Sequence, residues 1–142
     1  MELTTDLLKE KFGEYNGLYF GDELKEPVFI LMKSFKYMAM FSCTKKSLQK
    51  GRRICGAKIK ISTYYDWDEG SLRDAIVHEM VHYYLATKHI DDTLSHGDAF
   101  RKMAEMLNKE HGLNIVAENK DTKIGRSKSA PLFGWFLHRI FA

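Results

Sequence analysis

The amino-acid sequence predicts an α+β domain, on three observations: apolar residues at helical spacing near the start, short apolar or alternating runs through the middle, and two more helical patterns after them. With 142 residues, 44% hydrophobic and 13% aromatic, the chain can bury one good core, so a single compact domain is expected.

Taken in order, residues 4–19 place Leu7, Leu8, Phe12, Tyr15 and Tyr19 on one helical face after a Thr4 or Thr5 cap, and Gly21 ends that helix. Val28-Phe29-Ile30-Leu31-Met32, bounded by Pro27, reads as a strand, as do residues 37–43 and 54–62, where Ile59 and Ile61 alternate with Lys58 and Lys60. Residues 44–53 read as a polar, basic connector, and the strands together as a small antiparallel sheet. Ser71-Leu72-Arg73-Asp74 has the form of a capping box opening a helix over about 71–88, with Leu72, Ile76, Met80 and Tyr83 as its apolar stripe. A loop follows over residues 89–96. The next helix, 98–111, rests on Phe100, Met103, Ala104 and Leu107, and stops at Gly112.

The chemistry is concentrated in the first of these two later helices. His78-Glu79-Met80-Val81-His82 puts two imidazoles four residues apart, hence on one face, while Glu79 sits about 100° round the helix, close to whatever the imidazoles hold. His96 follows fourteen residues later. Three neutral nitrogen ligands leave one tetrahedral position of a zinc ion open for water, the pattern of a catalytic site, and a carboxylate beside it can take that water's proton. Two other arrangements use the same residues: histidines bonded to core carbonyls, and a zinc closed by a fourth, carboxylate ligand that only holds the fold. For the oxyanion that peptide hydrolysis would generate, Tyr64, Tyr65, Tyr83 and Tyr84 are available phenols, with core packing the commoner role for any one of them. Asp98 is placed either to cap the helix that follows or to accept a hydrogen bond from a ligand imidazole, and the cap is favoured.

Charge is unevenly spread. Between Pro27 and Tyr65 there is no acidic residue, while Lys33, Lys36, Lys45, Lys46, Lys50, Arg52, Arg53, Lys58 and Lys60 are all cationic. Interleaved with Phe35, Tyr37 and Phe41, these residues suit a polyanion such as nucleic acid, with rings to stack on bases; they equally suit a hairpin edge guarded by lysines. Only Cys43 and Cys55 are present, too few for a cysteine zinc ribbon, and as cross-strand neighbours they are expected to be a thiol pair rather than a disulfide. The first residues have neither a basic nor an apolar leader pattern, and no run of eighteen apolar residues occurs, so a cytoplasmic location without a transmembrane segment is expected.

Residues 119–142 read as a separate unit from the domain at 1–118. Lys120, Lys123, Arg126 and Lys128 make a basic arm, and residues 132–141 an aromatic tail, either packed on the domain or contacting a partner or membrane surface.

An opening helix with Tyr19-Phe20-Gly21-Asp22-Glu23-Leu24, a basic hairpin, Ile59-Lys60-Ile61-Ser62, the His78 to His82 motif and His96-Gly97-Asp98-Ala99-Phe100 together resemble the SprT-like family of zinc metallopeptidases, over roughly residues 7–117. The most specific part is H-E-M-x-H paired with a downstream H-G-x-x-F at this spacing. The metzincin pattern is absent, since Leu85 stands where its glycine would be. The resemblance implies a compact zincin-like domain, one zinc ion per chain on His78, His82 and His96, and Glu79 as the general base. It also implies a link to DNA, because the family includes Spartan-type proteases that cleave proteins crosslinked to DNA. Many members carry a cysteine zinc ribbon or another DNA-binding element after the protease domain. Here a cysteine-free basic arm stands in that place, so the lysines of 33–60 and 120–128 become the candidate DNA contacts.

Three functions follow as expectations. The first is a zinc endopeptidase acting on proteins, including DNA-bound ones. The second is a nucleic-acid-binding module with a structural or inactive zinc site. The third is an interaction protein docking through its aromatic tail.

Overall fold

The computed structural model describes residues 1–48, 51–90, 96–116 and 140–141. Helix α1 (Thr5–Phe20) starts where the Thr4 hydroxyl accepts the Leu7 N–H at 3.1 Å and stops at Gly21, whose left-handed φ of 60° releases the chain from the helix. Leu8, Phe12, Tyr15 and Phe20 are its buried face, with Asn16 among them. That amide donates to the Leu24 carbonyl at 2.7 Å and accepts the Leu24 N–H at 3.2 Å, fixing the turn that leads into the sheet.

The sheet runs β1 (Val28–Met32), β3 (Gly51–Ser62), β2 (Tyr37–Leu48) and β4 (Ile140–Phe141) in spatial order. It is mixed, which corrects the antiparallel expectation: β2 and β3 form an antiparallel hairpin, but β1 lies parallel to β3 and β4 parallel to β2. Alternation along a strand decides which side chains face the core and says nothing about the direction of the neighbour. Here β3, with Ile59 and Ile61 fully buried, takes a central place and separates β1 from β2. The pairs Phe29↔Ile59, Leu31↔Ile61, Phe41↔Ile59 and Ala39↔Ile61 line one face, against which α1 and α2 pack.

The basic connector also needs correction. Most of residues 44–53 belong to the hairpin, with Lys45↔Ile54 and Lys46↔Arg53 in register; exposed cations such as Lys45 and Arg53 are compatible with a paired backbone. The register shifts between Ser42 and Thr44, next to Gly56, whose φ of 63° supplies the left-handed residue of a bulge. Cys43 and Cys55 flank this bulge as free thiols, as expected.

Helix α2 (Glu69–Thr87) begins two residues earlier than the sequence suggested. Its cap is Asp68, whose carboxylate accepts the Ser71 N–H at 2.7 Å while the Ser71 hydroxyl accepts the Asp68 N–H at 3.0 Å. Ser71 is thus the far end of a capping box, and Asp74 is left to accept the Asn114 N–H at 3.3 Å. Helix α3 (Asp98–His111) packs on α2 and ends at Gly112. Asn108 exchanges two hydrogen bonds with Ile115, at 3.0 and 2.8 Å, which folds the following segment back onto the core. Asp98 does not cap α3. The extended Gly97 occupies that position without a side-chain bond, and Asp98 is the first helical residue, where its charge complements the helix dipole.

Ile140 and Phe141 add a short strand beside Tyr37 and Ala39. The basic arm at 120–128 and the tail before Ile140 lie outside the described residues. Among the described residues no helix is long and apolar enough to cross a membrane.

Candidate metal centre

The histidine cluster is built by two elements. Helix α2 supplies His78 and His82 one turn apart, and the segment entering α3 supplies His96, whose carbonyl accepts a hydrogen bond from Arg101 Nε at 3.2 Å. Ligand atoms of all three imidazoles lie within 4.8 Å of one another. The Nε2 atom of His96 is 3.0 Å from that of His78 and 3.3 Å from that of His82. A tetrahedral zinc with nitrogen ligands at about 2.0–2.1 Å separates those nitrogens by roughly 3.3 Å. The two edges that meet at His96 thus match the ligand spacing of a tetrahedral metal site.

Hydrogen bonding alone accounts poorly for this convergence. A ring nitrogen holds either one proton or one lone pair, so His96 Nε2 cannot satisfy both neighbours at once. The three could together hold one metal ion. Burial, with Arg101 adding to it, lowers the pKa of His96 below its ordinary value and favours the neutral imidazole that binds metals.

Beneath the cluster lies one aromatic ring. The Phe100 centroid is 4.7 Å from the His78 ring, 4.6 Å from His82 and 4.9 Å from His96, and Phe100 is fully buried. One side chain from α3 thus touches every imidazole. The H-G-x-x-F spacing was the sequence signal for it, although periodicity assigned Phe100 only to the core stripe.

Glu79 is the third part. Its side chain is 0% exposed, its Oε1 is 4.0 Å from His78 Nε2, and neither carboxylate oxygen has a hydrogen-bond partner of normal geometry. Burial pushes its pKa well above the usual carboxylate value. The Phe41 backbone N–H opposes this shift from β2, without reaching a normal hydrogen bond to either oxygen. A buried, unpaired carboxylate is a costly feature in a core that is otherwise well satisfied, and such groups mark functional sites.

The SprT-like family model matches residues 8–121. The chain belongs to the SprT-like family. No curated protein matches it. The match runs from within α1 to beyond α3, so β1, β2, β3, both later helices and the histidine cluster fall within it, while β4 lies outside.

In this SprT-like domain the tyrosines divide by role. Tyr65 donates to the Phe35 carbonyl at 2.7 Å and Tyr83 to the Lys25 carbonyl at 3.0 Å, so both hydroxyls are committed to the scaffold. Burial, with the neighbouring Cys43 thiol adding to it, raises the Tyr83 pKa and keeps that phenol a donor. Tyr84 packs its ring near Phe20, and Tyr64 is half-buried. Phe41 is half-buried and stacks on Tyr83 at 5.2 Å, packed against the core. Lys33, Lys36, Lys45, Arg53 and Lys58 are exposed, while Lys60 is half-buried.

Proposed function

We propose that this SprT-like chain is a zinc-dependent endopeptidase that hydrolyses peptide bonds, with DNA-associated or DNA-crosslinked proteins as its substrate class. The observation that carries the reading is the convergence of three imidazole Nε2 atoms beside a fully buried carboxylate with no hydrogen-bond partner. His78, His82 and His96 would hold the ion. Bound there, zinc would supply Lewis acidity toward a water and toward the scissile carbonyl.

The remaining work falls to the chain itself. Glu79, kept basic by its dry surroundings, takes the proton from the attacking water and returns it to the leaving amine, so that water adds across the peptide C–N bond. Its greater distance from His78 Nε2, 4.0 Å against 3.0–3.3 Å between imidazoles, favours a base beside the ligands over a fourth ligand. Phe100 orients the three rings.

Elemental analysis of protein purified without chelators or a histidine tag tests the site: about one zinc per chain is expected, sharply reduced in His96→Ala. Glu79→Gln should retain the metal and lose cleavage of an unfolded protein substrate, assayed with and without DNA. A fully active Glu79→Gln protein would refute the assignment. The second reading, a nucleic-acid-binding module with an inactive zinc site, is favoured by the exposed cations of the hairpin. It requires salt-sensitive DNA affinity together with no proteolysis in the same preparations.

A further inference from the structure

A cavity of about 430 Å³, within the usual size range of ligand sites, opens one helical turn from Glu79. Its walls come from three elements: Glu23 and Lys25 between α1 and β1, Arg53 and Ile54 on β3, and Tyr83 on α2 with His89 just after that helix. The Tyr83 ring, stacked on Phe41, forms part of the wall, and the Phe41 amide faces the Glu79 carboxylate. Cavity and carboxylate therefore lie one turn apart on α2, through Tyr83 and Glu79.

The charge in this cavity is not balanced. Glu23 is paired with Lys88, which lies outside the lining, Oε2 to Nζ at 3.0 Å. Lys25 and Arg53 remain as exposed cations at the mouth, and the His89 ring adds a third donor. Ile54 and Tyr83 supply an apolar wall suited to a methylene stem.

We propose that this cavity is an anion-binding subsite of the peptidase cleft, taking an acidic side chain of the substrate between Lys25 and Arg53. The inference rests on the peptidase reading of the histidine cluster. Residues 79 and 83 are separated by about 6 Å of helix rise, and an extended peptide advances about 3.3 Å per residue. Along the helix axis, two residues of extended peptide cover that rise. A concave site with an apolar wall fits a single carboxylate side chain better than a track of phosphates.

The test is equilibrium binding, by fluorescence anisotropy, of a peptide series in which one glutamate is moved along an otherwise neutral sequence, each peptide paired with its glutamine counterpart. The protein is zinc-loaded Glu79→Gln, with and without Lys25→Gln and Arg53→Gln. Both substituted cations are exposed, so the fold is not at stake. At least one register should bind at least about fivefold tighter than its glutamine partner, and the ratio should fall to about one in the Lys25→Gln, Arg53→Gln protein. No acid preference in any register, or a preference that survives both substitutions, would overturn the proposal. So would a loss confined to binding of a single-stranded oligonucleotide, which would assign the cations to nucleic acid. Because binding is read without turnover, a wild-type protein that cleaves nothing refutes the peptidase reading separately and leaves this preference measurable.

Discussion

Glu79 should weaken the metal-free fold, and replacing it by methionine should strengthen it. The side chain is completely buried, both oxygens lack a normal hydrogen bond, and burial raises its pKa well above the usual value. One buried polar group without a partner costs about 1–3 kcal/mol, and exchanging buried ionic groups for apolar ones of similar volume gains about 1–4 kcal/mol. Methionine matches the length of glutamate and brings no polar oxygen into the site. Urea unfolding in excess chelator is the assay, comparing wild type, Glu79→Gln and Glu79→Met. We expect Glu79→Met to be more stable by about 1–3 kcal/mol, a midpoint shift of about 0.5–1.5 M for a protein of this size. Glu79→Gln keeps two polar atoms in the same site and should lie between the other two. Zinc should add stability to all three, by about 2.7 kcal/mol when free metal is a hundredfold above the dissociation constant. A Glu79→Met protein less stable than wild type in chelator would refute the reasoning: the carboxylate would then be satisfied by its surroundings and would not be a functional group held at a cost.

Other predictions address the parts around Glu79. Phe100→Leu removes the ring that touches all three imidazoles and should lower zinc affinity about 10–100-fold, as loss of a group that orients ligands does. Competition with a chromogenic chelator measures this, and wild-type affinity in a folded variant would remove the orienting role. Asp68→Ala deletes the cap of α2 and should cost about 0.5–2 kcal/mol at neutral pH. The Asp68 carboxylate is held below the usual aspartate range, first by the Ser71 backbone N–H and then by the Ser71 hydroxyl. A lowered folded-state pKa means that its contribution is fully present above the unfolded value of about 3.9 and is lost as pH falls through the lowered one. The stability difference between wild type and Asp68→Ala should therefore close in acid. Urea midpoints at pH 7 and pH 2 check this, and a gap of equal size at both would contradict it.

Local signals in the sequence located the helices well, because the cause of each boundary is local. Gly21 and Gly112 end α1 and α3 since each adopts a left-handed φ, and the four-residue spacing of His78 and His82 places both rings on one face by helix geometry alone. The cap of α2 was placed three residues late because two overlapping patterns, Asp68 to Ser71 and Ser71 to Asp74, both resemble a capping box. Only the backbone conformation at Asp68 selects the first.

The sequence by itself determined an α+β chain, three helices near their observed positions, and three imidazoles that could hold a metal ion beside one carboxylate. Tertiary structure alone decided that β3 separates β1 from β2 and that Phe100 underlies every imidazole. It also decided that Glu79 is sealed from solvent and that Lys25 and Arg53 share a cavity. The reason is the range of the interactions. Caps, turns and helical faces are fixed by residues a few positions apart, whereas strand order, desolvation and cavity lining depend on which distant segments pack together, and a one-dimensional pattern leaves that choice open.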